Sequence, residues 1–399
     1  MTKPLAVTVG AGVAGLAAAW WLDKAGWRSV IIERAESLRE NGYMLGLSGL
    51  GFETACRMGL RDRLEAGAFR IDENVYKDSK GRELLRLRYR DFIRDLPYLA
   101  VRRTDLVRAL AEILPDTAAI RFCETIDDFV QTEDKVDVTL SSGETIVADM
   151  LIGADGFRSS LRQKLFGPDD TCLQPLGYYF SVYDVGAPKQ FDTDFVSYAE
   201  PGHLAEYYAL HDGRLAAMHV WRDDRPNLEQ RGGRIDLLQA VSAHSHPHVR
   251  QLLKQTQHEE SPVLIDSLTM IDLPKWSQNR VLLIGDAAHC LTLVSGQGAG
   301  MALASAEMLG EAMKVAQDPG TAFERHEFLL RPIITRLQSR SRKMAAVFIP
   351  QSAFAFRLRN LLMRYMPRSW LGRYFSNSIR AEIALAANMK QETMPVSGP

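Results

Sequence analysis

A chain of 399 residues, 46% hydrophobic and 24% charged with a net charge of −1, holds material for about two to three packed domains and offers no field to recruit nucleic acid. Four widely separated cysteines, Cys56, Cys123, Cys172 and Cys290, exclude a CxxC redox pair and a zinc ladder, and no metal site is expected. No apolar run reaches the roughly 20 residues that span a bilayer, and the first strand comes too early and is too short for a secretory leader, so a cytoplasmic protein is expected.

The first expected strand, Leu5 to Val9, runs into Gly10-Ala11-Gly12-Val13-Ala14-Gly15 and a small-residue helix ending near Gly26. Gly10 permits the tight turn, Gly12 lets a pyrophosphate approach the backbone, and Gly15 lets the helix pack on the strand. Free amides around Val13 and Ala14, at the positive end of the helix dipole, then face the anion. The next strand, Ser29 to Ile32, ends in Glu33, placed to accept hydrogen bonds from a ribose diol.

Gly42 to Leu50 reads as a strand and Gly51 to Gly67 as a helix. Asn74 to Tyr89 carries two strand-like runs around Asp78-Ser79-Lys80-Gly81, a hairpin signal. Arg103 to Leu114 has helical spacing, with Thr104 as a cap and Pro115 as a stop. Ala119 to Ile126, Val136 to Leu140 and Thr145 to Ile152 read as strands. Tyr178 to Val185, Phe195 to Ala199, Leu204 to Leu210 and Leu215 to Trp221 read as antiparallel strands, with Pro201-Gly202 and Asp212-Gly213 as turns. Helices are expected around Ile235 to Ala243 and His248 to Gln255, then a buried parallel strand at Val281 to Ile284 and a helix from Gly298 to Val315.

From Phe328 to Ala381 there is no Asp or Glu, while Arg331, Arg336, Arg340, Arg342, Arg357, Arg359, Arg364, Arg368, Arg373 and Arg380 are scattered through it, and Pro350 and Pro367 divide it into helices. This stretch reads either as a surface for an anionic membrane or protein, or as a helical cap whose arginines are solvated or paired elsewhere. The last residues, Lys390 to Pro399, read as frayed.

Two more glycine turns follow strands. One is Gly153-Ala154-Asp155-Gly156-Phe157-Arg158-Ser159-Ser160-Leu161-Arg162; the other is Gly285-Asp286-Ala287-Ala288-His289, continuing to Gly296-Gln297-Gly298-Ala299-Gly300 at the mouth of a helix. With these three motifs in this order, the chain resembles the class A FAD-dependent monooxygenases, the p-hydroxybenzoate hydroxylase-like family, over most of its length.

The resemblance implies an α/β fold, α+β overall: a Rossmann-like FAD-binding domain from 1–72, 99–175 and 270–330, an inserted antiparallel β-sheet substrate domain from 73–98 and 176–269, and a C-terminal helical region over 331–399. FAD is long, so a second site must hold its ribityl chain and ring. Asp286 stands at the carboxyl end of a parallel strand, where a ligand-facing carboxylate belongs, and its family equivalent bonds the ribityl or pyrophosphate region. The positive end of the helix at Gly298, Ala299 and Gly300 suits the negative charge of reduced flavin. Glu33-Arg34 suits FAD, because Glu33 would repel the 2′-phosphate that Arg34 alone would hold. Arg103 matches the family's arginine near the FAD phosphates, against the alternative of a surface arginine. Asp155 with Gly156 matches the turn that touches FAD and the nicotinamide cofactor, against the alternative of a carboxylate bonding its own turn.

The implied cycle has NADPH or NADH reduce FAD, O₂ add at flavin C4a, and the hydroperoxide oxygenate an aromatic or polyketide-like small molecule. Because the cofactor carries the difficult chemistry, no catalytic residue is named; His289 reads as structural and Cys290 as a small buried residue. One GxGxxG, with no paired cysteines, excludes the disulfide reductases, and the lysine-bearing and Trp-rich halogenase motifs are not apparent. A reductase of the same fold and an FAD-holding interaction protein without turnover are the alternatives. Substrate is expected between the flavin and an aromatic sheet face formed by Tyr179, Tyr183, Tyr207, His219 and Trp221, with Leu293 in the flavin-facing loop; the alternative is that these aromatics are domain core. Nothing in the sequence fixes an oligomeric state. Three departures from the family stand out: Leu293 where Pro is usual, Gly300 where Asn is common, and Ala304-Ser305 in place of an acidic pair.

Overall fold

The most apolar strands of the chain gather into one six-stranded sheet. Leu5–Val9, Arg28–Ile32, Ala118–Arg121, Met150–Gly153 and Val281–Leu283 run parallel, and Ser277–Gln278 closes an edge antiparallel. Ala6, Val7, Ile31, Leu151, Ile152, Val281 and Leu282 are fully buried, as strands covered on both faces must be. Leu5–Val9 sits between Arg28–Ile32 and Met150–Gly153, so the strand order reverses at its carboxyl end, the place where open α/β sheets bind ligands. The computed structural model describes residues 3–38, 43–69, 71–88, 98–188, 191, 193–210, 213–228, 232–256, 263–365, 377, 380 and 384. Asp212, Pro367 and the Lys390–Pro399 end lie outside them.

Three expected segments divide where the backbone requires it. The helix expected from Gly51 to Gly67 is two, Gly49–Arg57 and Arg61–Ala66, because Gly59 turns the chain at φ +75°. The strand expected from Ala119 to Ile126 ends at Arg121, and Cys123 at φ +58° turns the chain before Ile126–Gln131 begins. The strand expected from Thr145 to Ile152 is split at Asp149. Thr145–Ala148 pairs antiparallel in a three-stranded sheet, whereas Met150–Gly153 joins the central one. Asp149 fixes the junction, accepting from the Leu5 amide at 2.8 Å and from Lys135 Nζ at 2.6 Å.

A second sheet of seven strands runs in the order Leu264–Ile271, Leu173–Pro188, Arg214–Arg222, His203–Ala209, Phe195–Glu200, Glu73–Lys77, Glu83–Arg88. Only the pairing of Phe195–Glu200 with Glu73–Lys77 is parallel among these. Between the sheets lies a ribbon of Met44–Ser48 and Tyr98–Arg102.

At the C-terminal end, Pro319–Phe348 is a single helix, so the boundary expected at 330/331 falls in mid-helix. Leu329, Leu330, Ile333, Ile334 and Leu337 keep one buried stripe through Pro332. Two of the expected basic residues are paired: Arg331 with Glu327 and over the Trp276 ring at 4.6 Å, and Arg342 with Asp272 at 3.9 Å. No helix among the described residues is long and apolar enough to cross a membrane.

Candidate cofactor and substrate site

The glycines of the first turn answer to two different needs. Gly10, at φ +103°, is pressed against the second turn, where an added Cβ would lie 2.5 Å from the Ala154 carbonyl oxygen. A Cβ on Gly15 would lie 2.0 Å from the Gly10 carbonyl oxygen. Gly12 faces nothing within 4 Å, and as the N-cap of Val13–Lys24 it offers no side-chain cap, so the first amides of that helix open onto empty space. Room beside uncapped amides is the cradle a pyrophosphate needs.

Glu33 closes this cradle. Its carboxylate accepts from the Ala11 amide at 2.8 Å and the Ala35 amide at 3.0 Å. Arg34 is exposed beside it. Each charge-assisted bond of this kind is worth about 1.5–3 kcal/mol. Glu33→Ala is therefore expected to weaken FAD binding by about tenfold or more, read by fluorescence titration of the stripped protein.

In the second turn, Asp155 accepts from the Leu161 amide at 3.2 Å through Oδ2, while Oδ1 is buried with no partner. Both readings of this residue thus have a structural basis: one oxygen caps its own turn and the other is left for a ligand. Gly156 takes φ +82° beside open space. In the third turn, Gly285 packs on Ala14, its missing Cβ 2.8 Å from the Ala14 Cβ. Asp286 follows, its Oδ1 4.0 Å from where a Cβ on Gly298 would stand, at the amino end of the Gly298–Val315 helix. Burial pushes the Asp286 carboxyl up from its ordinary value, against the pull of Arg103 and a bond from the Cys290 thiol. Arg103 is held by Tyr43, whose hydroxyl accepts from Nη1 at 3.3 Å; that contact, with Asp286, pushes the guanidinium above its ordinary value against the cost of burial. Arg103, Asp286 and the Gly298-Ala299 helix start therefore form one corner, and Glu33 and the first turn form the other.

Gly300 also meets a second helix. A Cβ on Gly51 would come within 2.2 Å of the Gly300 Cα, so Gly51 lets helices Gly49–Arg57 and Gly298–Val315 cross in contact. A Cβ on Gly300 itself would meet only ordinary contacts at 3.5 Å and beyond, and nothing in the structure explains its departure from Asn. Two positions beyond Ser305, Glu307 is buried, accepts from Thr54 Oγ1 at 2.5 Å and pairs with Arg57 at 2.7 Å. Ser305 bonds His326 at 2.9 Å. His289 lies 4.8 Å from the Trp276 ring and is pushed down to about 3 by burial, with His326 adding to it, so it is a neutral packed residue.

Two arginines in the second motif have roles that the sequence did not assign. Arg158 makes a bidentate bond to Asp266 of the second sheet, at 2.9 and 2.8 Å. Arg162, 1% exposed, donates to Phe157 O at 2.8 Å, to Ala287 O at 3.1 Å and twice to Asp169 at 2.8 Å. It thereby clamps the second turn to the third. A buried arginine has no pattern of its own in a sequence; only its place at the end of the second motif marked it.

The expected substrate residues need a correction. Tyr179, Tyr183, Tyr207, His219 and Trp221 lie on the sheet face under helices Arg234–Val241 and Pro247–Thr256, packed with Leu238, Val249 and Leu252. Their polar atoms are largely used there: Tyr183 and Tyr207 hydroxyls meet His219 Nε2 at 2.9 and 3.2 Å, and Tyr179 donates to Arg225 O. Side chains alternate along a strand, so the neighbours of these residues lie on the opposite face, in one cluster with Leu293, Ile349 and Phe356. Tyr178, Phe180, Leu204, Met218 and Val220 pack with Leu293, and Tyr208 accepts from the Met44 amide at 2.8 Å. The aromatic face is thus packed as domain core, the alternative that the sequence left open, and the sheet's other face is covered as well. Leu293, which follows the third turn in the chain, packs against this face of the sheet.

With three turns converging at the switch point and room left at Gly12, the site fits an FAD molecule. A family model described as an FAD binding domain matches residues 5–318. The chain belongs to that family. Within it, this class A flavin-dependent monooxygenase is 30% identical over 346 residues to a flavin-dependent monooxygenase of an unknown prokaryotic organism, covering 84% of this chain and 87% of that one. It is 26% identical over 365 residues to 3-hydroxybenzoate 6-hydroxylase 1 of Aquipseudomonas alcaligenes, covering 89% and 92%. The crystal structure of tetracycline destructase Tet(55) matches with a TM-score of 0.79 at 25% identity, covering 93% of this chain and 96% of that chain. In this monooxygenase Arg162 ties two of the three turns together.

Proposed function

We propose that the enzyme uses NADPH or NADH and O₂ to place one oxygen atom on an aromatic or polyketide-like small molecule, the second oxygen leaving as water and the nicotinamide leaving oxidised. The observation that carries this reading is the Leu293 loop, which leads from the third turn into the Gly298–Val315 helix and packs in one apolar cluster with Tyr178, Phe180, Met218 and Val220 of the second sheet. Bound FAD would supply the chemistry, taking two electrons from the nicotinamide and delivering oxygen to the substrate. The chain's own residues bind, orient and dry the site. Arg103 and Asp286 hold the cofactor's polar middle, and the apolar row excludes water that would divert reduced oxygen to H₂O₂. A hydroxylase of 3-hydroxybenzoate and a tetracycline destructase among the relatives, both named for ring-bearing substrates, support a flat aromatic ligand.

The test is a screen of phenolic and polycyclic compounds for stimulated NAD(P)H oxidation by the yellow protein, followed by mass spectrometry under ¹⁸O₂. One labelled atom in the product is the expected result. A product that gains hydrogen and no oxygen would make the protein a reductase, and flavin that no nicotinamide reduces would make it a binding protein.

A further inference from the structure

The cofactor-side face of the seven-stranded sheet carries two apolar clusters that do not merge. One holds Phe180, Leu204, Met218, Val220 and Leu293; the other holds Phe195, Tyr208 and Ala216 against Met44 and Ala100. The register that sets Phe195 opposite Tyr208 and Ala199 opposite Leu204 sets Ser197 opposite Glu206 in the row between them. Asn74 stands on the adjoining strand. All three are buried, Glu206 at 5% exposure.

This polar row is short of donors. Ser197 Oγ lies 3.0 Å from Asn74 Oδ1 and 3.0 Å from Glu206 Oε1, so one hydroxyl proton serves two acceptors. Glu206 Oε2 has no hydrogen bond, and no cation pairs with Glu206, among the described residues. Burial raises its carboxyl to about 7, with the Ser197 bond pulling the other way. Other charged groups on this face have their own partners: Arg102 and Asp184 lie 3.8 Å apart beside Tyr208, Asp266, opposite Phe180, pairs with Arg158, and Arg222, opposite Tyr178, pairs with Asp224. A buried carboxylate without a counter-charge is costly. A neutral hydroxyl from a ligand would supply a bond and leave that cost standing, whereas an ammonium supplies both bond and charge.

We propose that Glu206 is a specificity-determining residue of the substrate site, receiving the protonated amine of a ring-bearing substrate whose apolar parts lie on the two flanking clusters. The assignment rests on the substrate lying on this sheet face, as in the function proposed above. Arg102 is the competing anchor on the same face, since its Nε and Nη2 are buried without hydrogen bonds; it would favour an anionic substrate instead.

Three phenols that differ only at the end of the para chain decide the matter: tyramine, 4-propylphenol and 4-hydroxyphenylacetate. Their binding to the FAD-loaded protein is read from the perturbation of the flavin absorbance, which needs no turnover. Tyramine is expected to bind about tenfold more tightly than 4-propylphenol once Glu206 is ionised. The preference should rise as the pH climbs through about 7, where the carboxyl loses its proton. Glu206→Gln should bring the ratio to about one. Ser197→Ala, which removes a bond to the carboxylate, should move the pH midpoint of the preference upward, a shift that a purely structural residue would not produce. A preference that survives Glu206→Gln, a preference for the anion or the neutral phenol, or no binding by any of the three overturns the assignment. A tyramine preference in a protein that incorporates no ¹⁸O would overturn the monooxygenase reaction and leave the subsite intact.

Discussion

Replacing Arg162 by alanine is expected to destabilise the protein by about 3–5 kcal/mol and to release FAD from whatever remains folded. That cost is the usual consequence of removing one partner of a buried ion pair, because the other stays behind uncompensated. Here the loss of the guanidinium takes its bonds from Phe157 O and Ala287 O at once and leaves the Asp169 carboxylate to the side chains of Gln163 and Cys172, with no cation beside it. The two carbonyls are the backbone of separate cofactor turns, so the loss is geometric as well as energetic. Arg162→Lys should recover little, since a single ammonium cannot reach three directions that a planar fork spans. Chemical denaturation of the stripped and FAD-loaded forms checks both parts. A loss below about 1 kcal/mol in both would show that the clamp is dispensable.

The same pair sets part of the acid limit. Burial raises the Asp169 carboxyl, but the bonds from Arg162 and Gln163 outweigh it and leave the group below its ordinary 3.8. A depressed folded-state value contributes stability above the unfolded value and loses it as the pH falls through the folded one. Wild-type stability should therefore fall away below about pH 4, and Arg162→Ala should flatten that portion of the profile.

Gly15→Ala and Gly12→Ala, three positions apart, are expected to fail in opposite ways. The Gly15 methyl would stand 2.0 Å from a backbone oxygen that the Gly10 turn holds in place, and nothing flexible is there to yield. Such overpacking costs about 3 kcal/mol. The loss should appear in the protein without FAD. At Gly12 the backbone, φ −85° and ψ −173°, suits any residue, and the methyl meets no atom of the chain. It would stand instead in the space facing the helix amides. Gly12→Ala should keep the unfolding midpoint of the stripped protein and bind FAD about a hundredfold more weakly, the equivalent of roughly 3 kcal/mol. Normal FAD affinity in Gly12→Ala would place the pyrophosphate elsewhere.

How much of this was legible in the sequence depended on how local the cause was. Gly10, Gly12 and Gly15, with the strand before them and Glu33 after the next strand, declare themselves because each answers to a constraint within a few residues. Arg103 and Asp286 were found through motif position, and the structure sets them in one corner from segments far apart in the chain. The aromatic face could be read from the sequence as pocket lining or as core, for a physical reason. Period-two alternation separates Tyr179 from Phe180 but does not say which of two buried faces looks at the cofactor. Glu206 was passed over for the same reason, being on the side not chosen. Gly51 and Gly300 each looked like a local feature, and only their contact reveals that they are one.

Pro319–Phe348 has a mechanical consequence. At 1.5 Å per residue a helix of 30 residues is about 45 Å long. Its first half is seated against the cofactor domain, where Arg331 donates to Leu273 O and His326 bonds Ser305. Just beyond its far end, Ile349 O accepts from Tyr178 in the second sheet and Pro350 O from the amide of Gly202, in the turn between two strands of that sheet. The helix is thus a strut braced at one end on the cofactor domain and at the other on the second sheet, the two walls between which the substrate is proposed to lie. Drawing those walls apart would require tilting the entire strut or unfastening it at Ile349 and Pro350, so a stiffening or loosening substitution at that joint should change how fast a substrate enters while leaving the cofactor's grip untouched.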